Sequence, residues 1–101
     1  MFIEQFIQYL QFEKRFSPLT VTAYQKDLNQ FLVFLAISES ELLTVTHQQV
    51  RSWMVTLMDQ GNEAKTINRK ISSLRSLYKF LQRNELITTN IFFKIFYLQM
   101  I

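Results

Sequence analysis

The sequence predicts an all-α domain, a compact bundle of four main helices followed by a short apolar C-terminal tail. Three observations carry that prediction. Only one Gly and one Pro occur among 101 residues, whereas a turn-rich all-β chain needs both at its many reversals. The apolar fraction is 49%, enough for a folded core and too high for a disordered chain. Long stretches repeat their apolar residues at i, i+3, i+4 and i+7, the period of a helix with one buried face. The length suits one domain of ordinary size. Residues 1–90 are expected to form it, with residues 91–101 as the tail.

Met1–Arg15 reads as the first helix. Phe2, Phe6, Tyr9 and Leu10 share a face that Glu13 would extend, Ile3 and Ile7 lie beside it, and Glu4, Gln8 and Gln11 lie opposite. Phe16-Ser17-Pro18 breaks the helix. Ser17 can cap a new helix with its hydroxyl, and Pro18 at the first helical position gives up no useful N–H. The second helix is expected from about Pro18 to Leu35, burying Val21, Tyr24, Leu28, Phe31, Leu32 and Leu35 and wetting Thr22, Lys26, Asn29 and Gln30. Ser38–Leu43 reads as a polar connection.

Thr46 and Gln49 have the spacing of a capping box, which satisfies two otherwise unpaired backbone donors and starts the third helix. Val50, Trp53, Met54, Leu57 and Met58 would supply its core face, and Gly61 the left-handed residue that ends it. The fourth helix should run from about Ala64 to Asn84 on a buried stripe of Ile67, Ile71, Leu74, Leu77, Tyr78 and Leu81. At 1.5 Å per residue it is about 30 Å long, enough to lie along a DNA groove.

Several function classes are excluded or left without support. The chain has no Cys, so disulfides, thiolate metal sites and thiol chemistry are absent. No secretory leader is legible. The most apolar run, Ile91–Ile101, is broken by Lys94 and Gln99 and is about half the roughly 20 residues that cross a bilayer. A cytoplasmic location away from membranes is expected. His47 is the only histidine and reads as a surface residue at the start of the third helix. No tyrosine has partners for attack on a phosphate, and no carboxylate cluster suggests Mg²⁺. No catalytic residue, metal, cofactor or small-molecule substrate is expected.

The charge pattern is informative. Lys65, Arg69, Lys70, Arg75, Lys79 and Arg83 are six basic residues in a stretch without an acidic one, out of eleven basic and eight acidic residues in the chain. The remainder therefore carries five basic and eight acidic groups, so the net +3 is wholly local. At about 100° per residue, all but Lys70 fall within an arc of roughly 120°, opposite the apolar stripe, with Asn68, Ser72 and Ser76 among them. A merely solvated face usually mixes signs and gains i, i+4 ion pairs. Here Lys65 and Arg69, and Arg75 and Lys79, are like charges at that spacing. Duplex DNA rewards such a ridge, because neutralised phosphates release counterions while hydroxyl and amide groups reach phosphate oxygens or base edges. Arg can also pair with two guanine acceptors in the major groove. The competing reading is a helical protein–protein adaptor whose basic face meets an acidic partner. On the wheel, Arg69 and Arg75 lie away from the core, so Ala at either position should leave stability nearly unchanged.

The residues also resemble a known family. Phe16-Ser17-Pro18-Leu19-Thr20-Val21-Thr22-Ala23-Tyr24, continuing through Asp27-Leu28 to Phe31 and Phe34, is similar to the entry and body of the second helix in the N-terminal core-binding (SAM-like) domain of phage-integrase-type tyrosine recombinases. Leu43-Thr44-Val45-Thr46 with Val50 and Arg51 resembles that domain's entry to its third helix, and Lys65–Leu81 resembles its "T-x-N-R-x-L-S-x-L-R-x-F-Y-x-F" helix. The resemblance implies a four-helix SAM-like bundle with its second and fourth helices toward the major groove. It implies DNA contacts from Ser17, Thr20, Lys65, Thr66, Asn68, Arg69, Ser72, Arg75 and Lys79, with Arg69 foremost. In that family, cleavage belongs to a separate C-terminal domain with a Tyr nucleophile, which this chain is expected to lack. The chain would then be the binding part of a recombinase, or a free-standing module competing with one at its site. The departure lies at the end, where the family's Asn-Pro pair is replaced by Asn90-Ile91 and nine of the eleven residues 91–101 are apolar. Left uncovered, such a tail forms an exposed patch. It is expected to fold back on the bundle or to drive self-association.

Overall fold

The computed structural model describes residues 2–87. They form four α-helices, α1 (Phe2–Phe12), α2 (Pro18–Leu35), α3 (His47–Asp59) and α4 (Ala64–Arg83), with a 3₁₀ helix at Glu39–Thr44 between α2 and α3. No strand occurs among the described residues. The fold is all-α, as the scarcity of Gly and Pro predicts.

α2 and α4 lie against each other, and α1 and α3 each pack on both. α4 is the hub. It buries Ile67, Ile71, Leu74, Leu77, Tyr78 and Leu81, the predicted stripe, and also Lys70, Ser73 and Phe80. On the wheel Ser73 and Phe80 widen its buried sector to roughly half the circumference while Lys70 falls within the stripe itself, because α4 meets three helices. Phe6 and Leu10 from α1, Leu28 and Phe31 from α2, Leu42 from the 3₁₀ helix and Val50 from α3 are fully buried in the same core. Aromatic rings fill the larger gaps: Phe31 lies 5.0 Å from Trp53 and Phe6 lies 5.5 Å from Phe80, centroid to centroid, within the range of favourable offset pairs.

The starts of α2 and α3 follow the sequence signals. Ser17 Oγ accepts from the Thr20 N–H at 3.2 Å, with Pro18 opening α2. Thr46 Oγ1 accepts from the Gln49 N–H at 3.3 Å while Gln49 Oε1 accepts from the Thr46 N–H at 2.8 Å, completing the capping box of α3. The ends of α2, α3 and α4 share one device. A left-handed residue follows each helix, and the next N–H reaches back to a carbonyl in the last turn: Ile37 to Leu32 at 3.1 Å, Asn62 to Leu57 at 3.1 Å and Leu86 to Leu81 at 2.9 Å. Gly61 (φ 85°) fills the left-handed position once, but Ala36 (φ 55°) and Glu85 (φ 59°) fill it after α2 and α4. A residue with a Cβ costs roughly 1–2 kcal/mol there. Scarcity of Gly therefore leaves strain at three helix ends, Arg15 (φ 55°) after α1 being the third.

Three expectations need correction. α1 ends at Phe12 rather than Arg15, because Arg15 turns left-handed (φ 55°) and the Phe16 N–H bonds back to the Leu10 carbonyl at 3.0 Å; Glu13 is exposed rather than on the core face. Met58 is 59% exposed, outside the α3 core face. Ser38–Leu43 is not simply a polar connection: it contributes most of the 3₁₀ helix and buries Leu42, whose carbonyl accepts from Tyr78 Oη at 2.6 Å. Lys70 is buried, which agrees with its place off the basic arc. The tail 91–101, and the boundary expected at residue 90, lie outside the described residues. Among the described residues no helix is long and apolar enough to cross a membrane.

Candidate nucleic-acid interface

The outward sector of α4 carries the predicted ridge. Lys65, Asn68, Arg69, Lys79 and Arg83 are exposed along it, and Thr66, Ser72 and Arg75 are half-buried at its flanks. Lys65 lies in the first turn, which holds no acidic residue of its own but follows Glu63 at the N-cap position, so the Glu63 carboxylate offsets part of the positive dipole at this end of the ridge. At the other end, Arg83 donates to Tyr9 Oη at 2.9 Å and its guanidinium carbon sits 5.8 Å from the Tyr9 ring centroid. That contact fastens the end of the ridge to α1.

The start of α2 brings Ser17 and Thr20 together. Their hydroxyl oxygens are 2.9 Å apart, and Ser17 also caps the helix through the Thr20 N–H. Both are therefore already ordered, with Ser17 exposed and Thr20 half-buried. Between the first halves of α2 and α4 runs a shallow groove whose lining includes Leu19, Ala23, Lys26 and Arg69. This groove joins the two elements expected to face DNA.

Its floor holds a residue that sequence reasoning did not single out. Asp27 of α2 is fully buried, with 0% of its surface exposed. A buried carboxylate is tolerated only when paired and hydrogen-bonded, and α4 supplies the donors. Arg69 binds it side-on, Nε to Oδ2 at 3.2 Å and Nη2 to Oδ1 at 2.9 Å. Lys70 Nζ donates to Oδ1 at 3.1 Å and Ser73 Oγ to Oδ2 at 2.8 Å. Lys70 also donates to Gln30 Oε1. The hydrogen bond to Asp27 raises the Arg69 pKa above its ordinary value against the opposing effect of burial, so Arg69 stays charged at any working pH. The Arg69 side chain remains 46% exposed while that of Lys70 is only 8% exposed. Of the two cations on Asp27, Arg69 alone also faces solvent substantially.

This pairing corrects one expectation. Arg69 lies on the outward arc, but it is held by a buried carboxylate, so its replacement carries a stability cost that the wheel did not foresee. Arg75 is half-buried rather than fully on the surface. A signal for Asp27 and Lys70 was present in the sequence. Asp27 lies beside the apolar stripe of α2 on the wheel, three residues after Tyr24 and four before Phe31, and Lys70 falls off the basic arc of α4. Two opposite charges, each out of phase with the polar face of its own helix, are candidates to pair with each other.

The arrangement can bind an anion along an extended, ordered, cationic edge. Among the described residues no three His, Cys, Asp or Glu side chains are grouped to hold a metal ion. The family described as phage integrase, N-terminal SAM-like domain, matches residues 3–85. Similar proteins include the tyrosine recombinase XerC of Oceanobacillus iheyensis, 40% identical over 93 residues, which are 91% of this chain and 30% of that protein. XerC of Bacillus subtilis is 36% identical over 92 residues, 90% of this chain and 30% of its own length. XerC of Rickettsia typhi is 34% identical over 99 residues, 92% and 32% of the two chains. The chain thus spans about 30% of the length of the curated relatives it matches. No solved structure matches it. With the match running from α1 to the end of α4 over a four-helix all-α bundle, the chain belongs to the phage integrase N-terminal SAM-like domain family.

Proposed function

We propose that this chain is the DNA-binding portion of a tyrosine site-specific recombinase, gripping duplex DNA at a recombination site through the outward face of α4 and the start of α2. One observation carries the reading: in a domain of this family, Lys65, Arg69 and Lys79 stand exposed on one sector of the hub helix, with the exposed amide of Asn68 between them. Cations alone would suit any polyanion. Interleaved hydroxyl and amide groups suit a DNA groove, where phosphate contacts position the protein and base edges specify the sequence. Lys65 and Lys79 act on phosphates as point charges, Arg69 offers a fork for a pair of acceptors, and Ser17, Thr20, Thr66, Asn68, Ser72 and Arg75 complete the contact surface. Strand cleavage belongs to another part of the full recombinase, outside this segment.

The test is binding of the folded chain to a labelled DNA duplex at low salt, with polyglutamate as the competitor. Binding to the duplex that polyglutamate displaces poorly supports the recombinase reading. No duplex binding, with tight binding of the acidic polypeptide, transfers the basic face to a protein partner.

A further inference from the structure

We infer that buried Asp27 is a positioning residue for DNA recognition, fixing the Arg69 guanidinium so that its outer fork is presented ready-formed to a pair of acceptors on the duplex. The inference rests on the DNA-binding reading and adds to it the mechanism of its foremost side chain. A guanidinium has five N–H donors in a rigid plane. Asp27 takes the Nε hydrogen and one Nη2 hydrogen, which is the inner edge of that plane. The other Nη2 hydrogen and one Nη1 hydrogen form the adjoining end-on edge, the one whose spacing matches two phosphate oxygens or the O6 and N7 of guanine.

Burial decides which edge meets the ligand. The Asp27 side chain is wholly enclosed, yet 46% of the Arg69 side chain remains in solvent, so the unbonded edge is the accessible one. Lys70 and Ser73 also bond to Asp27, so the carboxylate cannot swing out to follow a moving arginine. An exposed Arg ordinarily loses much rotamer freedom when it binds. Here folding has already imposed that order. The same burial keeps the Asp27 charge from opposing DNA strongly, since Lys70 balances it at 3.1 Å.

The test turns on a sign. Removing a carboxylate beside a polyanion should, by charge alone, strengthen binding. Positioning predicts that it weakens. Asp27→Asn is compared with wild-type Asp27 in a Lys70→Met background, so that no buried ammonium is left unpaired, and thermal melting checks the fold of both. Duplex affinity is expected to fall about tenfold on Asp27→Asn, toward the lower end of what a bidentate contact contributes, and to be unchanged by it when Arg69 is Ala. In the free protein, the Arg69 Nε–H resonance should be sharp with Asp27 present and exchange-broadened in the Asp27→Asn variant. Arg69→Lys provides a second route that keeps a cation beside Asp27: it has the charge but no fork, and with its fold checked by thermal melting should lose affinity nearly as fully as Arg69→Ala. A salt dependence that drops by about 0.9 on Arg69→Ala would assign the fork to a phosphate, and an unchanged slope to a base edge. Binding by Asp27→Asn that is equal or tighter, or full activity of Arg69→Lys on DNA, overturns the inference while leaving the DNA reading intact. Failure of the wild-type chain to bind any duplex removes both.

Discussion

Asp27→Ala is the most severe single change that the structure identifies outside the hydrophobic core. The carboxylate is 0% exposed and Lys70 is 6% exposed. Without Asp27, the Lys70 ammonium is left in the interior with Gln30 as its remaining hydrogen-bond partner. Breaking a buried pair in this way typically costs about 3–5 kcal/mol, because the surviving charge is uncompensated. The Arg69 contribution is much smaller. Its side chain is 46% exposed, so water screens the pair and rehydrates the guanidinium once the partner is gone. Arg69→Ala leaves Asp27 with Lys70 and Ser73, and should cost about 1 kcal/mol. Lys70→Met leaves Asp27 with Arg69 and Ser73 while filling the vacated space, and should cost no more than about 1 kcal/mol. Small domains have roughly 5–15 kcal/mol in all, so Asp27→Ala removes a large fraction, on the order of a 15–30 °C fall in Tm. Urea unfolding followed by Trp53 fluorescence reads these differences, since that indole is 3% exposed in the native chain. A cost for Asp27→Ala no larger than that for Arg69→Ala would mean that Asp27 does not hold a buried charge in balance.

Other consequences are open to measurement. Tyr78→Phe removes the 2.6 Å hydrogen bond to the Leu42 carbonyl and should cost about 1–2 kcal/mol by urea unfolding. Burial holds the Tyr78 phenol well above its usual range, so the unfolded chain ionises near pH 10 while the native chain keeps its proton. Wild-type stability attributable to this group is full below about pH 10 and falls by about 1.4 kcal/mol per unit above it, and the difference between wild type and Tyr78→Phe over that range isolates it. Ala36→Gly relieves a left-handed residue at the end of α2 and should stabilise by about 0.5–1 kcal/mol, net of the extra chain entropy; a loss of stability would contradict the strain. The apolar tail 91–101 predicts that the chain dimerises or protects its tail from protease, and that ending the chain at residue 87 changes one of these. A monomer by light scattering with a protease-sensitive tail contradicts both.

Much of the fold was legible because its signals are local. Ser17-Pro18 and the Thr46–Gln49 box set helix starts through hydrogen bonds spanning three residues, and the α4 stripe is a periodicity within one helix. What escaped depends on contacts between distant segments. The 3₁₀ helix between α2 and α3 has the composition of a polar linker, yet Leu42 is buried in the core and its carbonyl accepts from Tyr78, 36 residues away. Phe80 and Ser73 lie near the polar arc on the wheel and are buried because α1 and α2 close over that side of α4. The periodicity of α4 puts Arg69 on the outward face, as the structure has it, but its inner edge is committed to a carboxylate 42 residues earlier. A wheel assigns one face to each residue. A side chain as long as Arg can serve two.

Whether the outward face of α4 meets DNA phosphates is read from duplex affinity, by fluorescence anisotropy across a salt series. Phosphate contact predicts saturable binding that weakens as a steep power of salt, with a log–log slope of about −0.9 for each phosphate engaged. Lys65→Ala and Lys79→Ala should each make that slope shallower by about 0.9 without moving the melting temperature, since both side chains are exposed. Absence of duplex binding by the folded protein at low salt, or slopes that neither substitution changes, would contradict phosphate contact.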